Sequence, residues 1–131
     1  MEPRQVLIVD DDVQVLEVLH HIFLAGGYSC LPAANGREGL AIFKAARPPL
    51  TVTDLKMPGL DGIALLGAIR DLDPDAAVIV LTGAPEIKTA IDSLKLGAYD
   101  FIVKPVNVDE LLIAAERALE RRQLLIERRE Y

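Results

Sequence analysis

A single cysteine, Cys30, is present among 131 residues, which excludes an intramolecular disulfide and a cysteine-rich zinc site. Cys30 is expected to be a small, buried apolar residue, the usual setting of a free thiol. Long hydrophobic runs are missing too. The longest, Ile63 to Ile69, falls far short of the ~18 residues that span a bilayer. The opening Met1-Glu2-Pro3-Arg4-Gln5 is no signal peptide, and Asp10 interrupts the apolar stretch behind it. Basic charge is in deficit: 14 Lys+Arg stand against 20 Asp+Glu, net −6, so no broad basic face for nucleic acid is on offer. There is no sequence repeat, low-complexity segment or internal linker. The expectation is one soluble, reduced, cytoplasmic domain without a membrane or direct nucleic-acid role. With 51% hydrophobic and 26% charged residues, it can bury about 68% of its unfolded surface, enough for one real core.

What is present is an alternation. Val6-Leu7-Ile8-Val9 is a short β-branched run that stops at Asp10-Asp11-Asp12, as a buried strand does. Val13, Leu16, Val18, Leu19, Ile22 and Phe23 then recur at helical spacing, and Gly26-Gly27 closes that helix. Tyr28 to Pro32 reads as a weaker strand. Asn35-Gly36 turns into a helix that ends near Arg47-Pro48-Pro49, because a residue before proline avoids the helical region. Leu50 to Thr53 is a third strand and Ile63 to Arg70 a third helix. Ala77 to Leu81 is the most apolar strand, and Pro85 in a first turn predicts a helix through Leu96. Tyr99 to Val103 is the fifth strand, and one long helix starts at Val108. Five strands alternating with five helices, the central strands apolar throughout, predict an α/β fold with a doubly wound parallel sheet.

In such a sheet, ligands bind outside the carboxyl ends of the strands. The first strand ends in Asp10-Asp11-Asp12, the third in Asp54, the fourth in Thr82-Gly83 and the fifth in Lys104-Pro105. If those strands lie side by side, three carboxylates, a hydroxyl and an ammonium converge. Two carboxylates about 4 Å apart repel by roughly 4 kcal/mol at an effective dielectric of about 20, so the cluster raises its own pKa values or recruits a cation. All-oxygen donors suit Mg²⁺ or Mn²⁺, which favour phosphate oxygens as further ligands. Thr82 and Lys104 then serve as donors to a phosphoryl group, and Asp54 as a nucleophile forming an aspartyl phosphate. Gly83 is expected to leave room above the site.

These residues carry a resemblance. Val6 to Asp12, Val52 to Gly62, Val80 to Gly83 and Gly97 to Pro105 closely resemble the receiver domains of two-component response regulators, over residues 5 to 120. The resemblance implies a flavodoxin-like sheet of order 2-1-3-4-5. It implies that Asp54 accepts the phosphoryl group and that Asp11, Asp54 and the backbone carbonyl of Lys56 ligate Mg²⁺, with Asp10 acting through water. Thr82 and Lys104 bind phosphoryl oxygens, Phe101 matches an aromatic switch position, and the bond before Pro105 is expected to be cis. Asp12 lies outside the family's acidic pair and reads as the N-cap of the first helix. The implied partner is a sensor histidine kinase or phosphotransfer protein, and the implied output runs through the surface of the fourth helix, fifth strand and fifth helix. The protein is then a switch rather than an enzyme, with at most slow Mg²⁺-dependent self-dephosphorylation.

Residues 1–120 read as the receiver domain. Residues 121–131 read as a continuation of the last helix, running through Leu124-Leu125-Ile126 to Tyr131 without a stop signal. That helix is expected to lead to an output module, and Leu112, Ala115, Leu119 and Ile126 make a partial heptad. A homodimer through this helix, or through the surface of the fourth helix, fifth strand and fifth helix, is a further expectation. Lys56, two positions after Asp54, is expected to reach the mouth of the site and alter the lifetime of the acyl phosphate. His20-His21 reads as surface or core histidine, since adjacent helical residues point apart. Three rivals remain. A haloacid-dehalogenase-type phosphatase shares the strand and Asp-x-Asp start but not the Gln14 that stands here. A receiver fold without phosphate chemistry normally lacks an acid or the lysine. A flavin carrier needs a Ser/Thr/Gly-rich loop after the first strand.

Overall fold

The computed structural model describes residues 4–130; Met1 to Pro3 and Tyr131, parts of the opening and closing stretches read above, lie outside them. Five strands, β1 (Gln5–Val9), β2 (Ser29–Ala33), β3 (Leu50–Asp54), β4 (Ala77–Thr82) and β5 (Asp100–Val103), alternate with α1 (Val13–Ala25), α2 (Gly36–Ala46), α3 (Gly62–Leu72), α4 (Ile87–Lys95) and α5 (Val108–Glu130). The sheet runs in the order β2-β1-β3-β4-β5, every pair parallel. The expected α/β, flavodoxin-like fold is the one found.

Side-chain alternation sorts the strands onto two cores. Val6, Ile8, Leu50, Val52, Ile79 and Leu81 face α1 and α5, where Leu19, Phe23, Leu111 and Ala115 meet them. Their neighbours Leu7, Val9, Val78 and Val80 face the opposite side, with Phe43, Leu65, Leu66 and Ile69. The central strands β3 and β4 are buried at every position, whereas β2 and β5 are mostly half-buried edges. Apolar side chains on both faces are what a strand covered by helices on both sides requires. Burying a large aliphatic side chain is worth roughly 1.5–3 kcal/mol, so the two clusters fix the helices against both faces of the sheet.

Most element ends fall within a residue or two of the sequence reading, and two of the differences have clear local reasons. Pro85 opens a 3₁₀ turn, Ala84–Glu86, before α4 begins at Ile87; the Glu86 amide donates to the Gly83 carbonyl at 3.0 Å, the i→i−3 bond of that geometry. The second strand starts one residue late, at Ser29, because the Tyr28 amide donates to the Phe23 carbonyl of α1 at 2.9 Å. Cys30 is half-buried rather than buried, since it stands on the edge strand; its Sγ lies 3.8 Å from the His20 carbonyl. His20 is half-buried and His21 exposed.

Candidate functional site

The carboxyl edge of β1 carries the first two acids. Asp12 caps α1, its carboxylate accepting from the Gln14 amide at 2.9 Å, so the chain turns sharply between strand and helix. That turn sends Asp10 inward: its Oδ1 accepts from the Asp12 amide at 2.9 Å and its Oδ2 from Lys104 Nζ at 3.1 Å. Asp10 is only 1% exposed, and both its oxygens have partners. Asp11 stands exposed at the rim.

Asp54 closes β3 and is 9% exposed. The loop behind it is fixed by backbone contact, the Gly62 amide donating to the Leu55 carbonyl at 2.9 Å. A Cβ at Gly62 would strike the Asp54 carbonyl oxygen, so glycine is needed there for α3 to start this close to the acceptor. Lys104, at the end of β5, places Nζ 3.2 Å from Asp54 Oδ1, and the Lys104–Pro105 peptide is cis. One ammonium thus lies between two buried carboxylates on different strands.

The electrostatics follow from burial and neighbours. Desolvation, and then the charge on Asp10, push the Asp54 carboxyl above its ordinary value, against the lowering effect of Lys104. Burial acts to lower the Lys104 ammonium, but hydrogen bonding to Asp10 and the charges of Asp10 and Asp54 together raise it. Charge in this pocket is therefore under-compensated on the acidic side.

Asp10, Asp11 and Asp54 each offer an oxygen within 4.8 Å of the others. Three carboxylates in that space, with no nitrogen or sulfur donor, fit a hard divalent cation such as Mg²⁺ and suit softer metals poorly. The expected convergence holds for the three acids and the ammonium. The hydroxyl is turned aside: Thr82, buried at the end of β4, donates to the Gly83 carbonyl at 3.1 Å. Phe101, on edge strand β5, is half-buried against the core cluster on the α2–α3 side.

Lys56 does reach across, but to a residue the sequence reading missed. Its Nζ lies 3.6 Å from Glu86 Oε1. The room expected above Gly83 is taken by Glu86, whose Oε2 would stand 3.2 Å from a Cβ at position 83. The available signal was the Pro85 turn, which brings Glu86 back over the strand end.

Fold and site together define the receiver class of α/β domains. The sequence pattern of the response regulator receiver domain matches residues 6–116, and the chain belongs to that family. It is 37% identical over 124 residues to the C4-dicarboxylate transport transcriptional regulatory protein DctD of Rhizobium meliloti, covering 95% of this chain and 27% of that protein. It is 35% identical over 119 residues to sporulation initiation phosphotransferase F of Bacillus subtilis, covering 91% of this chain and 96% of that protein. Among solved structures, a response regulator receiver domain protein from Clostridium thermocellum superposes with a TM-score of 0.90 at 35% identity, over 93% of this chain and 98% of that one. The chain thus spans about a quarter of DctD but nearly all of the sporulation phosphotransferase. Among the described residues, no helix is long and apolar enough to cross a membrane.

Proposed function

We propose that the chain is a cytoplasmic phosphoacceptor switch in which Asp54 takes a phosphoryl group from the phosphohistidine of a sensor histidine kinase or phosphotransfer protein. An Asp54 carboxylate oxygen attacks phosphorus and the phosphorus–nitrogen bond breaks; the donor imidazole, already protonated on its other ring nitrogen, leaves as the neutral base. The observation that carries this reading is the Lys104 ammonium held between Asp10 and Asp54 at 3.1 and 3.2 Å. Lys104 engages Asp54 through Oδ1, so the other carboxylate oxygen can attack while the ammonium stands ready for the new oxygens.

Asp10, Asp11, Asp54 and the Lys56 carbonyl would hold Mg²⁺ (or Mn²⁺), which supplies charge neutralisation on the transferring phosphoryl group. Lys104 shifts from the Asp54 carboxylate to a phosphoryl oxygen. The Thr82 hydroxyl rotates from the Gly83 carbonyl to another, and Phe101 turns into the space that Thr82 vacates. Phosphorylation brings roughly −1.5 to −2 charge, and the α4–β5–α5 surface carries the change outward. The product remains on the chain, so the protein is a switch and not a turnover enzyme; slow self-hydrolysis resets it.

An apolar groove of about 370 Å³ beside Lys104, lined by Val15, Val18, Leu19, Pro105 and Val106, is the surface offered to the phosphodonor. Lys104, which pairs with Asp54, also lines it, and Val18 on its wall is exposed. The reader of the switch is an output module fused beyond residue 131, with α5 as the linker and a homodimer through α5 or the α4–β5–α5 face. DctD is named a transcriptional regulator; at net −6 this domain would reach DNA only through such a module.

The test is binding of Mg²⁺ and beryllofluoride, a phosphoryl stand-in, followed by amide NMR. Shifts at Asp10, Asp11, Thr82, Phe101 and Lys104 that vanish in Asp54→Ala are expected. Binding that ignores Asp54 overturns the reading.

A further inference from the structure

A second pair of charges spans the mouth of the acceptor site. Glu86 ends the 3₁₀ turn that follows Thr82 and Gly83, and its carboxylate folds back over the strand end. Oε2 lies close above Gly83, where a Cβ would stand 3.2 Å away, and Oε1 lies 3.6 Å from Lys56 Nζ. Lys56 belongs to the loop that leaves Asp54. One ion pair therefore ties the acceptor loop to the strand end that carries Thr82. The two partners are unequal: the Glu86 side chain is 27% exposed and that of Lys56 81%. Glu86 is the fixed post, set by its backbone bond to Gly83, and Lys56 the movable arm, a point charge on a flexible stem.

We infer that Lys56 and Glu86 form a strap across the site, holding the Thr82–Gly83 segment in its unphosphorylated position until a phosphoryl group on Asp54 draws Lys56 away. The inference rests on the proposed acceptor role of Asp54. Before phosphorylation, Lys56 is paired with one carboxylate at the rim, while Lys104 occupies the space between Asp10 and Asp54. A phosphoryl group adds a compact, strongly accepting dianionic centre two residues from Lys56, and the lysine exchanges the single Glu86 carboxylate for it. Glu86 is then left with only its backbone bond to Gly83, and the turn at the start of α4 loosens. Glu86 is thus a positioning residue that acts through Lys56. A Cβ at Gly83 would stand 3.2 Å from Glu86 Oε2, so a side chain there would displace the end of that carboxylate slightly.

The experiment compares wild type, Glu86→Gln, Lys56→Met and the double variant in affinity for beryllofluoride with Mg²⁺. An exposed ion pair biases an equilibrium by about two- to fivefold, so Glu86→Gln binds the mimic more tightly by about that factor at low salt. The gain shrinks at high salt, and Glu86→Gln changes nothing in the Lys56→Met background. In the protein without Mg²⁺ or mimic, Glu86→Gln speeds amide exchange over residues 83–87. An unchanged affinity in Glu86→Gln overturns the strap. So does a gain that survives in Lys56→Met, which assigns the effect to charge at the end of α4. If wild-type binding does not depend on Asp54, the acceptor reading fails, and the exchange rates of the free protein still decide the strap.

Discussion

Lys104 donates from Nζ to Asp10 Oδ2 at 3.1 Å although 94 positions separate the two residues. The contact exists only because parallel order places β1 and β5 on either side of β3 and β4 with all carboxyl ends on one edge. Two buried acids on neighbouring strands repel; the lysine offsets part of that repulsion, and a divalent cation held by Asp10, Asp11 and Asp54, as proposed, would offset the rest. On the proposed function, the same concentration of carboxylates would suit the pocket to a cation and a phosphoryl group.

Stability should record that repulsion. Burial and Asp10 raise the Asp54 pKa, so the folded chain binds this proton more tightly than the unfolded chain. Stability then falls as pH rises from the ordinary carboxylate value, about 3.9, through the raised folded value. Without metal at pH 7, Asp54→Asn is expected to raise Tm, because it removes a charge that burial and Asp10 disfavour. The gain should disappear below about pH 3.5. Added Mg²⁺ should raise the Tm of wild type more than that of the variant. Calorimetry across pH, with and without Mg²⁺, checks both.

Gly62 is the residue that lets α3 approach the acceptor. Gly62→Ala puts a methyl group against the Asp54 carbonyl and Leu55 Cα, backbone atoms that cannot swing aside. Overpacking of this kind costs about 1–3 kcal/mol. Urea unfolding should show that loss, whereas Gly67→Ala, where a Cβ meets nothing within 4 Å, should be neutral or stabilising.

If the groove beside Lys104 docks the phosphodonor, as proposed, it should separate protein donors from small ones. Val18 lines that groove and is exposed, and it is not among the residues assigned to the chemistry. Val18→Asp is expected to slow phosphoryl transfer from a phosphorylated histidine protein by about tenfold, a loss of about 1.4 kcal/mol in docking. Its rate with acetyl phosphate should match wild type. Equal slowing with both donors would place the effect in the site itself.

The far end of α5 has its own restraint. Arg129 pairs with Asp75 at 3.0 Å and Arg122 with Asp73 at 3.9 Å, pinning the helix to the loop before β4. Arg129→Ala is expected to cost no more than about 1 kcal/mol globally. Amide exchange over residues 120–129 should nevertheless rise several-fold, with the sheet unaffected.

Much of this was legible in the sequence because strand ends are punctuated by chemistry. Val6 to Val9 stops at three aspartates, and Val80-Leu81 at Thr82, so both the alternation and the site fall out of one pass. Asp12 could be read as a cap because Asp at that position has a local partner, the Gln14 amide. Glu86 was harder to read, because Pro85 signals only the turn, while the contact depends on how that turn folds over Gly83 and on Lys56 from another loop. The Thr82 hydroxyl was expected to face the acids, and it binds the adjacent Gly83 carbonyl instead; a rotor with a local acceptor takes it when no phosphoryl oxygen competes. Cys30 was misjudged by residue type alone, since edge strands leave one flank open.

The most direct measurement is the intact mass of the protein after incubation with Mg²⁺ and acetyl phosphate. A single phosphoryl adduct is predicted, removed by hydroxylamine, prevented by chelation of the metal, and absent in Asp54→Ala. No adduct on wild type, or one that persists in Asp54→Ala, contradicts the assignment of Asp54 as the acceptor.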